Sequence, residues 1–285
     1  MTDKIILVTR ATGSQGRGFN CVCKAEFVAS GYKMSCHMLR PIRLLRRPLT
    51  LQLLAAIAHL VRSGWNIRAL VIDPSSDRAI VLKSLGPQVD LVQGTWKDPS
   101  SIEAVMRGCQ ALVFIQRPSF TDDAEFQEGH VILNLAKVAG VQHVVFSSSL
   151  VLNNPNAQED IGHLSAAPAA LNKAPVEDLV KASGMKWTLL RPGYFMTNLL
   201  PPVVDYIFPE IKAGQMSNSY GPDCILTLVD PDDIGAFAAA AFNDPGKFDG
   251  RTITIVGENV RFDDIVKAFS KATGRDIEAI YRTEE

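Results

Sequence analysis

Seven short apolar runs punctuate the chain: "IILVT" at 5–9, "IRALVID" at 67–73, "VDLVQG" at 89–94, "ALVFIQ" at 111–116, "HVVFSSS" at 143–149, "WTLLRPG" at 187–193 and "TITIVG" at 252–257. Most lack the polar alternation of a half-exposed strand, so they read as strands buried on both faces. The stretches between them carry helical punctuation. In "DPSSIEAVMRG", Asp98 stands where a cap belongs, Pro99 in the first turn and Gly108 at the stop, and "DPDDIGAFAAAAFND" repeats that opening. Strand and helix in alternation predict a doubly wound, parallel α/β sheet over residues 1–192. After Pro192 the strand signal thins and prolines and aromatics gather, which predicts a smaller lobe over 193–285, above the carboxyl ends of the strands. The loop 152–175, rich in Asn, Ala and Pro, shows no clear period and reads as a flap or surface excursion.

At 285 residues and 47% hydrophobic content the chain can bury a substantial core. Its formal net charge of -1 gives no global reason to expect nucleic acid or an anionic membrane as partner. No apolar run reaches the length of a bilayer span. Five cysteines, an odd number, and an N-terminus without a secretory pattern suggest a reducing, cytoplasmic setting.

The first apolar run leads into "ATGSQG". Glycines directly after a strand let the backbone bend tightly against a phosphate, and a following helix would aim its free N–H groups at the anion. Gly13, Ser14, Gln15 and Gly16 supply that turn, although Arg10 stands where an earlier glycine usually sits. The helix is late: its best candidate, "LQLLAAIAHLVRSG", ends at Gly64. Between turn and helix lies a basic insertion, about 18–52, and the segment Arg17 to Gln52 holds seven Arg or Lys against Glu26 alone. A basic patch for phosphate or nucleic acid in "RPIRLLRRP" and a zinc site built on Cys21, Cys23, Cys36 and His37 are alternative readings, but charge runs are usually solvated faces and the Cys/His spacing matches no common zinc site. The favoured reading is a non-native insertion, such as translated intron sequence, because its removal restores the usual order of strand, turn and helix.

Outside the insertion the chain resembles the NmrA-like group of atypical short-chain dehydrogenases/reductases, relatives of isoflavone reductase-like enzymes. The resemblance rests on "ATGSQG", "DPSSIEAVMRGCQALVF", "AKVAGVQHVVFSSS", "NKAPVEDLVKASGMKWTLLRPGYFMTNLL", "DPDDIGAFAAAAFNDPGKFDGRTITI" and "FSKATGRDI". It implies a Rossmann fold binding NADP(H) or NAD(H), the family containing both reductases and cofactor-sensing regulators. Carried over residue by residue, it places Gly13, Ser14, Gln15 and Gly16 in the phosphate turn and Gln116 beside the ribose and nicotinamide. Lys173 matches the family lysine, which bonds the nicotinamide ribose and assists proton transfer. Tyr194, Phe195 and Asn198 match the block that closes over the nicotinamide.

Two departures shape the functional reading. The second strand ends "VID", so Ile72 stands where an arginine would grip a 2'-phosphate, and Asp73 would accept from a ribose hydroxyl or cap a turn; Arg78 is the remaining candidate for a 2'-phosphate. The residue four before Lys173 is Ala169, where short-chain reductases carry the acid tyrosine. Ser147, Ser148 and Ser149 stand at the expected strand end, a desolvated Lys173 would replace the missing acid, and His163 is another donor. Two functions follow. One is an NAD(P)-dependent oxidoreductase reducing a small, largely apolar carbonyl or conjugated substrate in a pocket of Tyr194, Phe195, Met196 and Tyr206. The other is a non-catalytic NAD(P)-sensing regulator with a protein partner, for which a nuclear location is also compatible. No metal is expected in either.

Overall fold

The structure, a computed structural model, describes residues 4–9, 48–164, 166–219 and 221–282. In chain order the elements begin with β1 (Ile5–Val8), α1 (Pro48–Arg62), β2 (Asn66–Val71), α2 (Asp77–Lys83), β3 (Val89–Gln93), α3 (Pro99–Met106), β4 (Ala111–Phe114), α4 (Ala124–Val138) and β5 (His143–Ser147). They continue with α5 (Ala157–Ile161), α6 (Pro168–Leu171), α7 (Lys173–Ala182), β6 (Lys186–Pro192), β7 (Tyr194–Phe195), α8 (Val203–Ile207), β8 (Gln215–Asn218) and β9 (Ile225–Val229). The last are α9 (Pro231–Asn243), α10 (Pro245–Phe248), β10 (Arg251–Ile255), β11 (Glu258–Arg261), α11 (Phe262–Thr273) and β12 (Glu278–Tyr281).

All seven apolar runs become strands of one sheet, in the order β10-β6-β5-β4-β1-β2-β3, and every pairing in it is parallel. Period-two alternation divides their side chains between two buried faces. Leu112, Phe114, Val144, Phe146 and Leu189 pack with α3, α4 and α7. Val113, Ile115, Val145, Ser147 and Leu190 face the opposite way and line a small cavity beneath α1 and α9. The helix boundaries follow their predicted chemistry. Asp98 caps α3 by accepting from the Ser100 N–H at 3.2 Å, and Gly108 ends the following turn with φ of 78°.

α1 starts at Pro48, inside the stretch read as the insertion, so the last residues of that stretch build the helix's first turn. Leu53, Ala56, Ile57 and Leu60 seat it on the sheet. α9 crosses it at backbone contact: a Cβ on Gly235 would lie 2.5 Å from the Ala55 carbonyl carbon and 2.7 Å from the Ala56 nitrogen.

The chain forms two compact units. The first contains Leu49–Gly193 and Pro231–Ile255 with β1; the second contains Tyr194–Asp230 and Val256–Glu285. The expectation that everything after residue 192 belongs to the smaller lobe is therefore corrected for Pro231–Ile255, because β10 pairs with β6 and extends the large sheet. The second unit holds the sheets β11-β9-β7 and β12-β8 around a core that includes Phe208, Met216, Leu228, Phe262 and Phe269. Most of its strands are short or mixed with polar residues, while β9 is an apolar run, ILTLV, that the sequence reading passed over.

The segment 152–175 is also corrected. It carries the end of a 3-10 turn (Leu150–Asn153), then α5 and α6, and runs into α7. Pieces of four or five residues are too short for a helical period to register. Asn153 Nδ2 fastens the segment to Thr254 Oγ1 at 2.8 Å. Among the described residues no helix is long and apolar enough to cross a membrane, and no group of His, Cys, Asp and Glu could hold a metal ion.

Candidate functional site

The strand order reverses between β4 and β1, and in doubly wound sheets that is where a crevice opens at the carboxyl ends. Thr9 joins the two strand exits: its Oγ1 accepts from the Ile115 N–H at 3.2 Å. Gly13, Ser14, Gln15 and Gly16 lie outside the described residues, as do Cys21, Cys23, Cys36 and His37. The start of α1 is described. Gln52, in its first turns and 1% exposed, donates from Nε2 to Ser147 Oγ at the end of β5, which sets this helix end at the carboxyl edge of the sheet.

Consecutive serines leave β5 on opposite faces. Ser147 meets Gln52 of α1, whereas Ser148 donates to Glu177 Oε1 on α7. Ser149 accepts from the Val151 N–H and caps the turn that follows. The three hydroxyls at the strand end are thus engaged structurally. Glu177 is 2% exposed and takes a two-point grip from Arg191, with Nε at 2.9 Å from Oε1 and Nη2 at 2.6 Å from Oε2. Burial alone would raise the Glu177 carboxyl, but bonds from Arg191 and Ser148 hold it below the usual carboxylate range.

Lys173 opens α7, one helical turn before Glu177, and is 8% exposed. Its Nζ lies 2.6 Å from Oε1 of Glu125, itself 2% exposed in the first turn of α4. A carboxylate thus meets the buried Lys173 ammonium directly. Glu125 Oε2 accepts from the Ser119 N–H at 3.0 Å, and the Ser119 carbonyl accepts from Asn172 Nδ2 at 3.0 Å. Gln116, 1% exposed, turns inward, donating to the Glu125 carbonyl at 2.7 Å and to Glu128 Oε2 at 3.1 Å. Its Oε1 is buried and meets no donor among the described residues.

Gln116 and Lys173 are therefore brought into one network by Glu125. The sequence reading missed Glu125 and Glu128. The signal was present: both fall on the buried stripe of α4, with Gly129, Ile132, Leu133 and Ala136, where a charge has to find a partner. Asp73, just beyond β2, forms a turn, its Oδ1 accepting from the Ser75 N–H at 2.8 Å and the Ser75 hydroxyl at 2.6 Å. The Ser75 hydroxyl, then its N–H, hold that carboxyl below the usual range.

Tyr194, Phe195 and Asn198 lie in the second unit, the first two in β7 and Asn198 in a 3-10 turn (Met196–Leu199). Tyr194 and Met196 pack against that unit's core. Tyr206 is corrected as a pocket residue: it is 87% exposed on α8.

Sheet order, helix placement and the crevice at the strand reversal define a Rossmann-type doubly wound α/β protein. The chain belongs to the NmrA-like family, whose model matches residues 53–285. It is 29% identical over 194 residues to a (4-alkanoyl-5-oxo-2,5-dihydrofuran-3-yl)methyl phosphate reductase of Streptomyces griseus, matching 67% of this chain and spanning 62% of that protein. It is 26% identical over 221 residues to an NAD(P)H azoreductase of Xenophilus azovorans, covering 76% of this chain and 69% of the relative. Among solved structures, the negative transcriptional regulator NmrA in complex with NAD superposes with a TM-score of 0.68 at 22% identity, covering 99% of this chain and 75% of that one.

Proposed function

We propose that this chain is an NAD(P)-dependent oxidoreductase that reduces a small, largely apolar carbonyl or conjugated substrate, acting in the cytoplasm. The observation that carries the reading is Lys173: a buried ammonium, held by Glu125, at the position of the family lysine. Two relatives named as reductases support the same class.

The residues present fit a nicotinamide dinucleotide. The unmatched Oε1 of Gln116 is an acceptor suited to a ribose hydroxyl, and Asp73 keeps a carboxylate at the end of β2 for the adenosine side. The proposed set is Gly13, Ser14, Gln15 and Gly16 for the pyrophosphate, Asp73 for the adenosine ribose, and Gln116 and Lys173 for the nicotinamide ribose. When bound, the reduced cofactor supplies the hydride. Lys173 then donates a proton to the oxygen that receives the displaced electron pair, the task left open by Ala169.

The test is quenching of NADH and NADPH fluorescence, followed by nucleotide oxidation over a carbonyl and quinone panel. Quenching, turnover and loss of turnover with retained binding in Lys173→Ala are expected. No quenching by either nucleotide overturns the reading. Quenching without turnover on any acceptor replaces it with the sensing regulator.

A further inference from the structure

Glu125 does more than neutralise a lysine. Its two carboxylate oxygens reach different parts of the chain: Oε1 holds Lys173 at the start of α7, and Oε2 holds the Ser119 N–H in the loop between β4 and α4. The other side of that loop is taken by the residue next to the lysine, since Asn172 Nδ2 donates to the Ser119 carbonyl. The Glu125 backbone carbonyl receives Gln116 Nε2 at the exit of β4. Ser119 is thus gripped at both its peptide N–H and its carbonyl, and each grip leads back to Lys173 or its neighbour.

We propose that Glu125 is a positioning residue for the reduction, fixing the Lys173 ammonium relative to the loop that leaves β4. The inference rests on the oxidoreductase reading and assigns to a residue outside the family motif the orientation of the proton donor. A flexible four-carbon side chain loses reach and direction without such a support. The support sits on the rigid first turn of a fifteen-residue helix. Glu125 acts through Lys173 and Ser119.

The experiment compares the full-length wild type, Glu125→Gln, Lys173→Ala and the double variant, with NADPH and menadione as probes. Glu125→Gln lowers kcat by about ten- to a hundredfold while the KM for menadione stays within about threefold. In the double variant the losses do not multiply, kcat matching that of Lys173→Ala alone. A kcat for Glu125→Gln equal to wild type, or multiplying losses, overturns the inference. Acylation of Lys173 by acetic anhydride, read by peptide mass spectrometry, measures the clamp without turnover. Relative to Lys181, Lys173 of Glu125→Gln acylates at least about tenfold faster than in wild type; equal rates overturn the inference. A wild type that protects Lys173 but oxidises no NADPH with any acceptor sinks the oxidoreductase reading and leaves the clamp supported. Should Glu125→Gln fail to fold, Asn172→Ala loosens the same loop at the Ser119 carbonyl and lowers kcat in the same direction; an unchanged kcat there overturns the inference.

Discussion

Lys173 and Glu177 stand one helical turn apart on α7, and each is buried against an oppositely charged partner from a different element: Glu125 of α4 for the lysine, Arg191 of β6 for the glutamate. The two pairs give one helix face two tasks. Glu177 joins α7 to β5 and β6, and Lys173 joins α7 to Glu125 of α4, which in turn holds the loop after β4. Their predicted phenotypes separate accordingly.

Glu177→Ala should cost about 3 kcal/mol of stability, the low end for breaking a buried ion pair, because Arg191 keeps bonds to the Leu152 carbonyl and Asn153 Oδ1. Urea unfolding measures this. The carboxyl is held below its ordinary value of 4.5, so its contribution is full above that pH and lost as pH falls through the folded value. Glu177→Gln should flatten the stability profile in that acid range.

His143 should govern a higher window. Thr188 spends its only hydrogen on the Phe248 carbonyl, so His143 Nε2 must donate to Thr188 Oγ1 at 3.0 Å, leaving the buried Nδ1 without a partner among the described residues. Burial lowers the imidazole from 6.5 to about 4, against a smaller pull from Asp249. The unfolded chain therefore takes up a proton before the folded one does. Stability is full above pH 6.5 and declines toward pH 4, by about 3 kcal/mol at the limit. His143→Gln should abolish that slope in calorimetry across the same window.

Lys173→Met should destabilise by about 3–5 kcal/mol, because it leaves the Glu125 carboxylate buried with no cation. Replacing both residues with methionine should recover most of that loss without restoring turnover. Thermal melting beside nucleotide oxidation distinguishes the two effects.

Gly235→Ala should destabilise by about 2 kcal/mol, since the new Cβ meets the backbone of α1 rather than a side chain that can turn away. The displaced helix carries Gln52 with it, so nucleotide fluorescence quenching should weaken in parallel.

Much of this fold was legible because a strand buried on both faces leaves an apolar run, which is how the inner strands of the main sheet announce themselves, whereas the edge strands β3 and β10 carry polar, exposed positions. The return of Pro231–Ile255 was hidden, since a strand's neighbour is fixed by long-range pairing. Lys173 was singled out as a candidate through motif order alone. Glu125 was not, because its partner lies 48 positions away and only the buried stripe of α4 hints that it needs one. The different fates of Ser147 and Ser148 follow from strand alternation, once helices are known to cover both faces.

The contact between Gly235 and the backbone of α1 also orders events in time. Trp65 Nε1 finds Asn243 Oδ1 across 178 positions, and α9 with β10 completes the surroundings in which α1 rests. A nascent chain halted before Pro231 would leave the side of α1 around Ala55 and Ala56 uncovered. Part of α1 is thus sheltered only once α9, made well over a hundred residues later, has docked on it.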